Sequence, residues 1–167
     1  MFHAFDNTGP NKPLQRPDWM ALLARAPLAL LEQGLDQQSA TEPNWLRRPE
    51  TGLYMVQARA GGTGERFNLG ELTVTRCALR AGADGSGLVG VAYVLGRDHR
   101  QAQLAALADA LLQDPVQREA LDAKLLQPVR KHLATLQAQR AARAAATKVD
   151  FFTVAREVDG IDEEDDA

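Results

Sequence analysis

Hydrophobic and polar positions along the chain fall into three regimes: two short helical patterns, three strand patterns, and a long helical run. Before them, residues 1–17 hold Pro10, Pro13 and Pro17 among Asn, Asp, Gly and Lys, the composition of a mobile arm. Asp18 is placed to cap a helix carrying Trp19, Met20, Leu22 and Leu23, which must end before Pro27. Pro27 opens a second short helix, Leu28 to Gln33, with Gly34 as its stop. A polar stretch from Asp36 to Ser39, then Pro43 and Pro49, lead out of it.

From Gly52 the pattern changes to strands. Leu53 to Ala60 (LYMVQARA) is the first, Glu71 to Arg80 (ELTVTRCALR) the second, and Leu88 to Leu95 (LVGVAYVL), after an Asp84-Gly85 turn signal, the third. The connections are short, so the pairing is antiparallel; a parallel return needs a crossover. The third strand is apolar on both faces, which predicts cover on both sides. In the second, Leu72 and Val74 share a face with Arg76, so a charge sits where alternation predicts core. Either Arg76 is paired at a buried edge or that face meets another molecule.

Asp98 with Gln101 three residues on is a capping-box-like start, and Leu104, Leu107, Ala108 and Leu111 supply a helical stripe. Asp114-Pro115 with Gln117 repeats the start signal. Pro128 breaks that helix and begins another, to about Thr147, which is Ala-rich and basic (Arg130, Lys131, Arg140, Arg143). With so little to bury it suits an arm against a partner better than a core element. Phe151 and Phe152 follow, in a chain that is only 5% aromatic. The predicted class is α+β: a small antiparallel sheet of three or more strands, short helices before it and a longer helical segment after it.

At 167 residues there is room for one domain, read here as 18–156 between the arm 1–17 and an acidic tail 157–167. The charge is uneven. Of 22 acids, seven lie from Glu157 onward with no base among them, so the net charge of −3 conceals a body at +4. A terminal block of like charge is a solvated tail, and a surplus of four is far short of a nucleic-acid footprint. It is compatible with a phosphorylated ligand or an acidic partner. No apolar run reaches the ~18 residues that span a bilayer, and the N-terminus lacks a signal pattern, so a cytoplasmic protein is expected.

Candidate chemistry is sparse. The segment GGTGERF (Gly61, Gly62, Gly64, Glu65, Arg66) lacks the Lys-Ser or Lys-Thr and the following helix of a phosphate loop. It reads as a hairpin loop whose amides and Arg66 could receive an anion or a partner side chain. Arg97 precedes a helix start and could hold a phosphate oxygen, while Asp98 is the cap. His3, His99 and His132 form no metal-ligand spacing, and no metal is expected in this chain. Cys77 cannot form an internal disulfide; packing is its simplest role, with a Cys77–His99 pair the other option. No self-contained active site emerges.

Three segments taken in order carry more: Pro49 to Cys77 (PETGLYMVQARAGGTGERFNLGELTVTRC), Gly96 to Gln113 (GRDHRQAQLAALADALLQ) and Thr147 to Arg156 (TKVDFFTVAR). Together with RPDWMALLARA (Arg16 to Ala26) and WLRRPETGL (Trp45 to Leu53), they closely resemble the PhnG family of bacterial carbon–phosphorus lyase subunits. The departures lie in the N-terminal arm and the acidic tail. The resemblance implies a subunit that works with PhnI, PhnH and PhnL to displace adenine from ATP by a phosphonate such as methylphosphonate. The product is ribose 1-phosphonate 5-triphosphate. It also implies a core assembly with PhnH, PhnI and PhnJ, with two copies of this chain, in which the iron–sulfur cluster and SAM belong to PhnJ. It implies no cofactor in this chain, ATP as substrate of the complex, and a multisubunit transferase in which this chain is not catalytic alone and its catalytic residues are unassigned. On this reading Gly61, Gly62, Gly64, Glu65, Arg66, Arg76 and Arg97 contact a subunit or a phosphate, and Phe151 and Phe152 anchor in a partner. The alternatives are a stand-alone phosphate-binding transferase using the Gly-rich loop, and a nucleic-acid or regulatory module using the basic helix.

Overall fold

A computed structural model describes residues 14–36, 43–82 and 87–149. Phe151, Phe152, the Asp84-Gly85 turn signal and the acidic tail lie outside the described residues. Helix α1 is Arg16–Leu23, three residues earlier than a cap at Asp18 requires. Pro17 occupies the first turn, where its missing N–H costs nothing, and the Asp18 carboxylate accepts from the Gln15 amide at 2.9 Å to close a capping box. Helix α2, Leu28–Leu35, runs through Gly34 instead of stopping there. That glycine serves close approach: a Cβ on it would lie 2.6 Å from Leu125 Cδ1.

Strands β1 (Asn44–Arg59), β2 (Arg66–Arg80) and β3 (Val89–Leu95) form one antiparallel sheet in that order. β1 starts nine residues before the expected Leu53, across Pro49. The proline is tolerated because β1 is an edge strand and its ladder is irregular there, Arg47 pairing with Ala78 and Glu50 with Arg76. β2 likewise begins five residues early: half of the expected Gly-rich loop is strand, with Phe67 opposite Ala58 and Gly70 opposite Val56.

Which face is core also differs from expectation. Thr75, Cys77 and Leu79 of β2 are buried with Ala92 and Val94 of β3, so the residues between Leu72, Val74 and Arg76 make the core. Helix α3 (His99–Leu112) covers that face, and it can lie close because Gly90 and the helix's alanines remove bulk from the contact. The opposite face, with Arg76, Tyr93 and Leu95 exposed, is not covered by any described element, so β3 is covered on one side only.

α3 begins as expected, Asp98 Oδ1 accepting from the Gln101 amide at 2.9 Å. Its burial differs from the expected stripe of Leu104, Leu107, Ala108 and Leu111: α3 lies between the sheet and helices α1 and α2 and so has two buried sides, while Leu107 and Leu111 are only half-buried. Helix α4 (Pro115–Leu121) is capped by Asp114, and a wide π turn over Asp122–Leu126 feeds directly into α5 (Gln127–Ala146). Pro128 therefore breaks nothing. The i→i+5 bond from the Gln127 amide to Asp122 O widens the backbone just before the proline, which sits in the first turn of α5. Val129 is buried, but every residue from Gln137 to Ala146 is exposed, so the outer half of this helix projects.

A second projection comes from the sheet. β3 ends at Leu95 opposite Val74, and the Gly96 amide makes the last bond to Thr73 O at 2.9 Å. Beyond that point β1 and β2 continue as a two-stranded ribbon, Leu53–Arg59 against Arg66–Thr73.

Candidate functional site

The residues singled out in the sequence fall in three separate places. Gly61, Gly62, Gly64, Glu65 and Arg66 make the ribbon tip, where Gly61 (φ 58°) and Gly62 (φ 82°) supply the left-handed backbone of the turn. The tip is tied by the Gly64 amide to Ala60 O at 2.9 Å and by Arg59 Nη1 to Gly64 O at 3.0 Å. Arg66 stands directly opposite Arg59. Arg76 is ten residues farther along β2, about 33 Å at the rise of a strand. Arg97 lies exposed in the turn between β3 and α3.

Arg76 is paired, at an exposed place on the open face. Its Nε donates to Glu50 Oε1 at 2.7 Å, and Arg47 Nη1 donates to the same oxygen at 2.8 Å. These two guanidinium groups, Arg76 first, hold the Glu50 carboxyl below its ordinary range. Around them Gly52, Tyr54, Val74 and Tyr93 outline a shallow groove of about 270 Å³.

Cys77 and His99 do not pair. The Cys77 thiol donates to Ala102 O at 3.1 Å, and burial pushes its pKa up to about 12, the opposite of an activated nucleophile. His99 joins a chain of hydroxyls instead. Thr75 Oγ1 donates its one proton to Gly96 O at 2.8 Å, so across the 3.0 Å contact it must accept from Thr51 Oγ1. Thr51 then has no proton left for the imidazole 3.0 Å away, so His99 Nε2 carries the hydrogen and donates. This relay ties β1 and β2 to the start of α3. Among the described residues no group of three or more His, Cys, Asp or Glu could hold a metal ion.

The buried carboxylate of the fold escaped the sequence reading. Asp109, fully buried in α3, accepts Arg16 Nε (3.2 Å) and Trp19 Nε1 (2.9 Å) on one oxygen. Arg16 Nη2 (2.8 Å) and the Val91 amide (3.0 Å) bond to the other. It fastens α1 to α3 and occupies the outer edge of β3, where a fourth strand would pair. The hydrogen bond to Asp109 raises the Arg16 pKa above its ordinary value. An acid inside ALADALL was the available signal.

Also missed was the exposure of the ribbon. Leu53, Tyr54, Met55, Phe67, Leu69 and Leu72 are all exposed although each lies on a strand with apolar neighbours. The ribbon therefore presents large apolar side chains from both of its strands to the outside of the described fold.

Comparison with known proteins finds a matching family and a similar relative. The family model described as phosphonate metabolism protein PhnG matches residues 14–157. A protein of Rhizobium meliloti (strain 1021), named alpha-D-ribose 1-methylphosphonate 5-triphosphate synthase subunit PhnG, is 42% identical over 145 residues, covering 85% of this chain and 89% of the relative.

Proposed function

The chain belongs to the PhnG family of phosphonate-metabolism proteins, and from that premise we propose that it is a non-autonomous subunit of a phosphonate ribosyl-triphosphate synthase. With PhnI, PhnH and PhnL it supports displacement of adenine from ATP by a phosphonate such as methylphosphonate, giving ribose 1-phosphonate 5-triphosphate. With PhnJ, which carries the iron–sulfur cluster and SAM, it belongs to the core assembly in the cytoplasm, in two copies. This chain holds no cofactor of its own and contributes no catalytic group on its own; ATP is substrate of the assembly.

The observation that carries the reading is the exposed apolar ribbon with its open sheet face, in a chain whose only cysteine is buried and protonated. Apolar area of that kind marks an interface waiting for its partner. Arg66, Arg76 and Arg97, with the tip glycines and Glu65, then serve as subunit or phosphate contacts, and Phe151 and Phe152 as anchors. The test is co-expression with the PhnI of the same organism, only PhnI being tagged. A stoichiometric complex is expected on size exclusion, followed by adenine release when PhnH and PhnL are added. A monodisperse chain that ignores PhnI refutes the proposal. Within the assembly, Arg66→Ala and Arg76→Ala should lower complex yield or adenine release, and unchanged values remove those residues from the site.

A further inference from the structure

The ribbon Leu53–Arg59/Arg66–Thr73 is unusual in three respects at once. Among the described residues it has open edges on both sides: β1 is the outer strand throughout, and β3 stops at Leu95, leaving β2 without a neighbour on that side from Leu72 to Arg66. It is apolar on both faces. The pairs Tyr54–Leu72 and Ala58–Phe67 lie on one, Leu53 and Met55 on the other, and Leu69 protrudes from the irregularity between the Gly70 and Asn68 pairs. Its tip also carries a like-charge pair, Arg59 opposite Arg66, within residues 53–73, which balance two arginines against two glutamates overall.

Each feature constrains what covers it. Leu53 is 67% exposed, Leu69 65% and Tyr54 62%. At about 200 Å² per fully exposed side chain, Tyr54, Phe67 and Leu72 present about 300 Å² on one face, within the range of the largest patch of an ordinary monomer, and Leu53 and Met55 about 200 Å² on the other. A flat surface would cover one face and leave the other wet, so the cover is a cleft. At the tip, Arg59 faces Arg66 directly across the strands, a like-charge pair that destabilises a hairpin until an acid bridges it. A second copy of this chain would bring another two-stranded ribbon, itself a flat surface that covers one face and leaves the other wet, so self-association does not supply the cleft.

We infer that this ribbon is clasped on both faces by an apolar, acid-rimmed cleft of a different protein subunit, with carboxylates meeting Arg59 and Arg66. The inference rests on the subunit reading above and specifies which part of the chain does the docking. An isolated two-stranded hairpin is marginal in water, so the clasp also orders the ribbon. Leu53 and Leu72 are exposed and belong neither to the buried core nor to the side chains packed against it, so truncating them should leave the domain folded.

The experiment co-expresses the full chain with the other subunits of the synthase and compares wild type, Leu53→Ser, Leu72→Ser and the double variant. Thermal unfolding of each free chain serves as the control for folding. The double variant is expected to bind about 100-fold more weakly and each single variant about 10-fold, one for each face, with unfolding temperatures unchanged. Arg59→Glu/Arg66→Glu should lose about 10-fold, and wild-type association should slow as salt rises. In hydrogen exchange, amides of 53–73 should be protected in the complex and not in the free chain. If Leu72→Ser weakens binding and Leu53→Ser does not, the two-faced clasp is wrong. A free-chain dimer abolished by the double variant makes a second copy the occupant and also overturns it. Wild-type assembly matched by the double variant, or no added protection of 53–73, refutes the ribbon while leaving the subunit reading standing. Failure of the wild-type chain to assemble at all removes both.

Discussion

Asp109→Asn isolates the one buried carboxylate of the described fold. In the wild type each oxygen accepts two donors: Arg16 Nε and Trp19 Nε1 on one, Arg16 Nη2 and the Val91 amide on the other. An asparagine keeps one oxygen and offers an NH₂ in place of the other. With the NH₂ toward β3, the Val91 amide loses its acceptor; turned the other way, the buried Trp19 indole loses its own. Neither orientation escapes, and a stranded buried N–H costs about 1–3 kcal/mol. Losing the charge-assisted bonds to Arg16 adds less than for a buried pair, because that side chain is 41% exposed and rehydrates. The total is about 3 kcal/mol, or about 6–12 °C in unfolding temperature for a chain of this size. Calorimetry measures it, and the Trp19 emission followed in a Trp45→Phe background reports whether α1 separates from α3. A shift under about 2 °C would refute the account of Asp109 as the fastener of α1 and the β3 edge.

Other outcomes follow from the same packing. Gly90→Ala places a Cβ 1.8 Å from Ala106 O and 2.7 Å from Ala110 N, backbone atoms that cannot turn aside; expected is a loss above ~3 kcal/mol or insoluble protein, against near-neutral Gly52→Ala, whose Cβ meets nothing within 4 Å. Urea titration of the pair decides it. Thr75→Val leaves Gly96 O and Thr51 without their buried partner and should lower stability by about 1–2 kcal/mol in the same assay. Cys77 should resist thiol reagents until the chain unfolds. Its folded pKa of about 12 exceeds the ordinary 9.0, so above pH 9 only the unfolded thiol ionises. Its contribution is intact below pH 9 and is lost progressively as the pH rises toward 12. The stability gap between wild type and Cys77→Ala should therefore narrow from pH 8 to pH 10; a constant gap contradicts the burial of the thiol.

Local chemistry made several features legible. Capping is read from neighbours alone, and Asp98 with Gln101 and Asp114 with Pro115 start their helices where expected. Alternation and short connections gave the antiparallel order of three strands, and thin apolar content gave the projection of the last helix. The GGTGERF segment is a hairpin turn followed by a strand, as its missing Lys-Ser or Lys-Thr requires. The family likewise could be read from ordered segments of the chain. Two expected helix breaks did not occur. Gly34 and Pro128 look like terminators until one sees Leu125 pressed against the glycine and a π turn widened before the proline.

What the chain alone could not decide is which apolar residues find a partner. Alternation says that Leu72, Val74 and Arg76 share a face and that Thr75, Cys77 and Leu79 share the other, but two faces of a strand are equivalent until something packs on one. α3 chose the face of Thr75, because Gly90 and the alanines allow it to approach there, and so left Arg76 and Tyr93 open. The same holds for Asp109, whose four donors come from residues 18 to 93 positions away along the chain. It holds also for the ribbon, whose large apolar side chains are exposed where it runs on past the end of β3 at Leu95. Period, caps and turns are set by interactions within a few residues; burial and charge pairing are set by contacts between distant ones, and only the assembled fold supplies those.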